Sequence, residues 1–208
     1  NPEKFTINVG ESMTVKGGAL MTNGEYKLMT GNEVGCMLTE YILSRKKAQG
    51  KLCAKPVVVK TIVTTELAAE IAKSYGVEIM NVFTGFKYIG DKIARAIENN
   101  GKVFQIGYEE SYGYLVGTHA RDKDAVVSSM LICQMAAFHK NNGRTLVDAL
   151  NEIYIKFGFY LDALDNFGFK GIDGADKIKA LVNGLRNDPP KSAAGIAVVK
   201  MEDYESEE

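Results

Sequence analysis

Three cysteines and two histidines are all that this 208-residue chain offers of the residues that most often carry metal and redox chemistry. Cys36, Cys53 and Cys133 lie far apart and are odd in number. They form no CxxC pair and no zinc-ligand spacing, so they read as buried, reduced thiols of a cytosolic protein. His119 and His139 stand alone, without an HExxH pattern or a His/Cys cluster beside them. Charge of one sign is also missing. A net charge of −1 gives no electrostatic basis for nucleic-acid or anionic-membrane binding. No apolar run approaches the roughly 18–20 residues needed to span a bilayer, and the first residues lack the charged and apolar regions of a secretory signal. Walker and GxGxxG motifs are absent, so a nucleotide or dinucleotide site is unsupported. No internal repeat or sustained low-complexity stretch is present.

What is present is an ordinary globular composition, 46% hydrophobic and 25% charged. Residues 1–22 show no clear periodicity. Asn23-Gly24 is a hairpin-turn dipeptide, followed by a short strand at Tyr26–Met29. Val34, Leu38, Tyr41 and Ile42 predict a helix over Gly31–Lys47. Pro56–Val59 is a continuous β-branched run, the mark of a strand buried on both faces. A helix then opens at Thr64-Thr65-Glu66, turns Leu67, Ile71 and Ala72 inward, and closes on Gly76. A strand (Val77–Val82), a helix (Tyr88–Glu98), a strand (Val103–Ile106) and a long helix (Asp124–Lys140) follow. A helix from Thr145, a plausible N-cap, to Phe157 comes next. Phe159–Phe169 alternates as an edge strand would, Ala175–Leu185 predicts a helix, Asp188-Pro189-Pro190 a linker, and Gly195–Lys200 one extended strand ahead of an acidic tail. Strands alternating with helices of this length predict an α/β fold with a mostly parallel sheet and helices packed on it.

In such sheets ligands bind at the carboxyl ends of the strands. Three loops leave those ends, at 60–65, 83–88 and 107–122, and should converge in space. The first offers Lys60 and several threonines. The second, Thr84-Gly85-Phe86-Lys87-Tyr88-Ile89-Gly90, has a glycine permitting close backbone approach, a lysine that can pair with a phosphate, and a following helix N-terminus. An ordinary turn with an exposed lysine would read the same way. The third, Gly107-Tyr108-Glu109-Glu110-Ser111-Tyr112-Gly113, is the most informative. Adjacent carboxylates in an extended segment point to opposite sides, so Glu109 and Glu110 are a poor glycosidase pair. One of them can accept from two sugar hydroxyls, with Ser111 beside it. Tyr108, Tyr112 and Tyr114 argue for a packed, shaped loop rather than a solvated acidic one. Arg121 and Lys123 add positive charge, or a helix-start ion pair with Asp122 or Asp124, and His119 lies close by.

From about Gly24 to Pro190 the chain resembles the phosphoglucomutases of the α-phosphohexomutase superfamily. Within it the similarity is to bacterial phosphoglucomutases related to mutases that also act on pentose phosphates. The matching segments, in order, are Gly24-Glu25-Tyr26-Lys27-Leu28-Met29-Thr30-Gly31-Asn32-Glu33, Thr84–Gly90, Glu109–Gly113 and Arg121-Asp122-Lys123-Asp124. Such enzymes have four domains around one cleft, and the third, which recognises the sugar, is what resembles this chain. The resemblance implies that Glu109 and Ser111 contact sugar hydroxyls, that Thr84, Gly85 and Lys87 line the same cleft, and that Lys123 helps hold the substrate. Lys60 is a looser match to a cleft lysine. It further implies a cytoplasmic isomerase interconverting glucose 1-phosphate and glucose 6-phosphate, with Mg²⁺ as cofactor and glucose 1,6-bisphosphate as intermediate.

The departures from the family pattern are large. No Ser-His-Asn-Pro-like phosphoserine loop, no Asp-x-Asp-x-Asp-Arg metal loop and no Arg-x-Ser-Gly-Thr phosphate loop occur in these residues, and no aspartate lies in 1–22. The expectation is therefore a fragment without its own catalytic or metal-binding residues, inactive alone, whose partners are sugar phosphates and the other domains of the same enzyme. Its expected organisation is an atypical segment (1–22), the tail of a second domain with a connecting helix (23–50), the sugar-binding domain (51–190) and a linker toward a fourth domain (191–208). A phosphomannomutase or phosphopentomutase fragment and a non-catalytic sugar-phosphate-binding module are the alternatives.

Overall fold

A computed structural model describes residues 6–9, 15–20, 26–163, 168, 169, 171 and 173–204. The chain divides into two compact units, residues 1–162 and 163–208. In the first, β1 (Thr6–Val9), β2 (Val15–Leu20) and β3 (Tyr26–Leu28) form a small antiparallel sheet in chain order. The expected Asn23-Gly24 turn lies outside the described residues. Helix α1 (Gly31–Ala48) then starts on a capping box. The Thr30 hydroxyl accepts from the Glu33 N–H at 3.2 Å, and the Glu33 carboxylate accepts from the Thr30 N–H at 2.8 Å.

The main sheet holds β4 (Pro56–Thr61), β5 (Glu78–Val82), β6 (Val103–Tyr108) and β7 (Tyr114–Leu115) in the order β5-β4-β6-β7. β4 pairs in parallel with β5 and β6, and β7 returns antiparallel to β6. Helix α2 (Leu67–Ser74) links β4 to β5 and closes at Gly76, whose φ is +68°. Helices α3 (Phe86–Lys92), α4 (Ala125–Asn141) and α5 (Leu146–Phe157) complete the layers. The fold is α/β with a mostly parallel sheet between helices, as the alternation of the sequence predicts.

The β-branched run of β4 is buried along its whole length because both faces are covered. Val58 packs with α1, α2, α4 and α5, while Val57 and Val59 pack with α3. On β6, Phe104 joins the α3 side but Ile106 and Tyr108 join the other. Residues of equal parity would share a face in a regular strand. Here the register against β4 shifts between Val57 and Val58, and Gln105 is the extra residue that inverts the phase. Its buried side chain accepts from Lys46 Nζ at 2.6 Å and donates to the Val103 carbonyl at 2.9 Å.

Four expectations need correction. The helix expected over 88–98 starts at Phe86 and, after Lys92, widens into a π turn (Ile93–Ile97) and a 3₁₀ turn (Glu98–Asn100). Ile89, Ile93 and Ile97 are all fully buried on one side. A spacing of four residues drifts off that side at 3.6 residues per turn, and the wider turn keeps it there. No strand occurs in the described part of 159–169, where Leu161 is exposed and Phe159 rests on the Tyr154 ring. The thiols are free, and Cys36 is buried, but Cys133 is exposed on α4.

The second unit holds α6 (Gly174–Asn187), near the expected helix, and a two-stranded hairpin of β8 (Ser192–Ala193) and β9 (Ile196–Ala197). Gly195 is thus not the start of a strand. Ala194 and Gly195, at φ +49° and +80°, make the tight turn between two short ones.

Candidate functional site

The three loops at the carboxyl ends of β4, β5 and β6 do converge. The informative segment is the tip of the β6–β7 hairpin, closed by the Glu109 N–H donating to the Gly113 carbonyl at 2.9 Å. Its flanking tyrosines are anchors. Tyr108 and Tyr114 are buried and stacked, with centroids 6.0 Å apart. The Tyr114 hydroxyl donates to the Gly31 carbonyl at 3.0 Å, and the Tyr108 hydroxyl meets Cys36 Sγ at 3.6 Å. Burial holds the Cys36 thiol up at about 12, so it is a packing group here. Tyr112 sits at φ +68°, a conformation a bulky residue adopts only under tertiary constraint.

The first turn of α1 is pressed against this tip. A Cβ on Gly31 would stand 1.9 Å from the Glu110 carbonyl oxygen, and one on Gly35 would stand 2.0 Å from the Tyr108 ring. Asn32 Oδ1 accepts from the Thr65 N–H at 3.2 Å, tying the same turn to the loop after β4.

Glu109 and Glu110 diverge, as expected, although both lie beyond the end of β6. Glu109 Oε1 accepts from the Gly85 N–H at 2.8 Å, which joins the tip to the loop after β5. Gly85 has φ +112°, open to glycine alone. Burial raises the Glu109 carboxyl above its ordinary range. The Gly85 N–H and Lys123 counter this, while Glu110 and Asp122 add to it. Glu110 turns the other way, its Oε2 accepting from the Thr61 and Thr64 hydroxyls at 3.3 and 3.4 Å, which are themselves 2.7 Å apart.

Lys123 approaches from the α4 side. Its Nζ is 3.2 Å from Asp122 and 5.9 Å from the Phe86 ring centre. A Cβ on Gly113 would touch both Lys123 Cδ, at 3.1 Å, and Glu109 Oε2, at 3.5 Å. Glu109, Gly85 and Lys123 thus form one shelf. Thr84, Lys87 and Ser111 are exposed on its loops, with Lys87 Nζ 4.8 Å from the Tyr88 ring centre. Lys60 is not in this group. It is fully buried, and its ammonium donates to the Thr64 carbonyl at 2.9 Å and to Glu66 at 2.7 Å, within its own turn.

His119 pairs with Asp124 at 2.7 Å, and Asp124 caps α4 through the Val126 and Val127 N–H groups at 2.8 and 3.0 Å. Arg121 donates to the Thr118 carbonyl at 2.6 Å, and its own carbonyl lies where a Gly90 Cβ would be, 2.2 Å away. Among the described residues, this cluster offers the Glu109 carboxylate, a lysine and an exposed hydroxyl, a set whose chemistry suits recognition of a polyhydroxylated anion. The contributions of Gly31, Asn32, Thr61 and Thr64 were not legible as site support. The Thr30-x-x-Glu33 capping box was the available signal for where α1 begins.

The description "Phosphoglucomutase/phosphomannomutase, alpha/beta/alpha domain III" matches residues 30–157. A phosphoglucomutase of Staphylococcus haemolyticus is 37% identical over 185 residues, which are 89% of this chain and 33% of that protein. The chain spans about a third of the length of the curated relatives it matches. Among solved structures, a putative phosphomannomutase from Thermus thermophilus shares the fold with a TM-score of 0.60 at 21% identity, over 82% of this chain and 36% of that one. An Aspergillus fumigatus N-acetylphosphoglucosamine mutase, solved with GlcNAc-6P and magnesium, gives a TM-score of 0.51 at 16% identity, over 71% and 32%.

Proposed function

Because the chain belongs to the phosphoglucomutase/phosphomannomutase family through its domain III, we propose that it is the sugar-recognition part of a cytoplasmic phosphoglucomutase. The observation that carries the proposal is the shelf at the sheet's carboxyl edge, where the Gly85 N–H fixes Glu109 beside Lys123. Glu109 Oε2 and the Ser111 hydroxyl take adjacent sugar hydroxyls. Lys123, with Lys87 and Thr84 on the neighbouring loop, faces the ligand's charge. Lys60 acts indirectly, by shaping the turn whose threonines hold Glu110. Curated relatives named phosphoglucomutase support a glucose phosphate as ligand. The GlcNAc-6P complex of a mutase with this fold supports the broader class of sugar phosphates.

The whole enzyme would interconvert glucose 1-phosphate and glucose 6-phosphate through glucose 1,6-bisphosphate, with positioning and charge stabilisation carrying the phosphoryl transfer. Among the described residues no group of three or more His, Cys, Asp or Glu is placed to hold a metal. The described residues therefore supply no donor set that fits a Mg²⁺ site. We draw the recognition domain as residues 30–162, since α1 shares the core of the sheet.

An NMR titration with glucose 6-phosphate and glucose 1,6-bisphosphate tests the reading. Saturable shifts confined to residues 84–87 and 107–123, lost in Glu109→Ala, are expected. Shifts that persist in Glu109→Ala would remove the shelf from sugar recognition. A coupled mutase assay on the chain alone should show no turnover.

A further inference from the structure

The near-zero net charge of the whole chain hides a local excess. Between Glu40 and Glu66 there is no acidic residue, yet Arg45, Lys46, Lys47, Lys51 and Lys55 all fall there. They lie at the end of α1 and on the way into β4, at the amino-terminal margin of the main sheet and so across it from the shelf of Glu109. Among the described residues none of them is paired with a carboxylate.

At this margin α1 and α4 bound an open groove of about 430 Å³. Ile42, Val116 and Leu131 give it an apolar lining, together with the Tyr41 and Phe138 rings, 5.6 Å apart. The charged side chains of the lining are both cations, Arg45 and Lys46. Arg45 is held against the Phe138 ring, its guanidinium 4.6 Å from the ring centre. Lys46 Nζ donates inward to Gln105 at 2.6 Å. Lys51 follows at the helix end with an exposed side chain, its N–H donating to the Lys46 carbonyl at 2.8 Å. Glu40 and Glu152 line a neighbouring cavity instead and are engaged there, Glu40 by the Tyr75 hydroxyl at 2.7 Å and Glu152 by Arg144.

The apolar surface continues beyond the groove. From Ala125 to Phe138, α4 has no charged residue. Val126 and Met130 are exposed on it, and Met130 stands one turn before Gln134 at the rim of the groove. Carboxylates and a large apolar side chain on one short segment match both surfaces at once. A nucleic acid would want cations spread along the path of its backbone, and it would leave the apolar lining without a partner.

We propose that the groove between α1 and α4 docks a short acidic segment of a partner protein, with carboxylates on Arg45 and Lys51 and a large apolar side chain on Val116, Leu131 and Phe138. The proposal does not depend on the phosphoglucomutase reading.

Titrating the whole 208-residue chain into a rhodamine-labelled peptide, Glu-Asp-Phe-Glu-Glu-Leu-Asp-Glu, tests it by fluorescence anisotropy. Saturable binding that weakens as salt rises is expected, with NMR shifts confined to residues 41–51, 116 and 131–138. Gln134 allows a test of sign, because it is exposed and its replacement leaves the core untouched. Gln134→Glu should weaken binding about threefold and Gln134→Lys should tighten it about as much, the size of an exposed charge pair. Arg45→Gln should weaken it about tenfold, as loss of a charge-assisted hydrogen bond does. A peptide with alanine at both apolar positions should bind about tenfold more weakly as well. No saturation up to millimolar peptide, or equal affinity in the two Gln134 variants, would overturn the proposal. So would an alanine peptide that binds as well as the parent, or an RNA oligonucleotide that competes with equal affinity, since either result would make this margin a general polyanion surface.

Discussion

Replacing Gly31 by alanine is the smallest change that should move the candidate shelf without touching it. The new methyl would stand 1.9 Å from the Glu110 carbonyl oxygen, 2.6 Å from its carbon and 3.0 Å from the Tyr112 nitrogen. All three are backbone atoms, so no flexible side chain can turn aside. The helix start is held by the Thr30–Glu33 capping box, and the tip by the Tyr114 hydroxyl on the Gly31 carbonyl. Relieving the contact takes about 1 Å of movement between the two, and overpacking of this kind costs about 1–3 kcal/mol. Better helix propensity returns at most about 1 kcal/mol. A net loss near 2 kcal/mol lowers a urea midpoint by roughly 1 M. Amides of Gly85 and 109–113 should shift in the NMR spectrum, because the 2.8 Å bond from Gly85 to Glu109 lies across the displaced tip. In a complete enzyme, misplacement by about 1 Å can cost on the order of 100-fold in rate. Gly184→Ala is the control, since nothing lies within 4 Å of its Cβ. An unchanged midpoint with unmoved amides in Gly31→Ala would refute the claim that α1 sets the position of the tip.

Gly85→Ala separates backbone strain from crowding, because its Cβ would meet nothing closer than 3.8 Å while φ is +112°. It should cost about 1–3 kcal/mol by denaturation, and a neutral result would show that the turn tolerates an L side chain. Glu109→Gln tests the raised carboxyl. A folded-state pKa above the ordinary 4.5 makes Glu109 favourable to folding below that value and costly once pH rises through the raised one. The variant should therefore have a higher denaturation midpoint than the parent at pH 7, with the advantage gone below pH 4.5. Thr145→Ala removes the capping box of α5 and should cost about 1 kcal/mol. Hydrogen bonds from Thr145 depress the Asp148 carboxyl, so its contribution is present at neutral pH and lost as pH falls through the folded value. Part of the acid sensitivity of the chain should disappear with the threonine.

Much of the architecture is written in local pattern. The valines of β4 announce a strand covered on both faces, and Gly76 and Thr145 mark helix ends where the structure has them. The divergence of Glu109 and Glu110 matches what alternation in an extended segment suggests, although both lie in the tip beyond β6. What local pattern omits is phase and partner. Gln105 inverts the faces of β6, yet nothing in its neighbours distinguishes a bulge from a regular strand residue. Ile89, Ile93 and Ile97 read as one helix until the sheet demands that all three lie on it. Lys60 follows Val58 by two on a strand buried on both faces, so sequence cannot say that its ammonium stays under the start of α2. Gly31 belongs to the shelf only through a contact about eighty residues away along the chain.

The position of β5 at the margin of the main sheet bears on how this protein behaves at high concentration. Among the described residues no strand lies beyond it, so one row of its N–H and C=O groups has no ladder partner. Such a row is a template on which a second molecule can add a strand. Two features make it a poor one. It is five residues long, and Glu78 and Asn81 are exposed on it, with Glu78 fixed by Lys102 at 2.7 Å. Replacing Asn81 with valine to raise strand propensity would therefore also make this margin more adhesive, and aggregation could offset the stability gained.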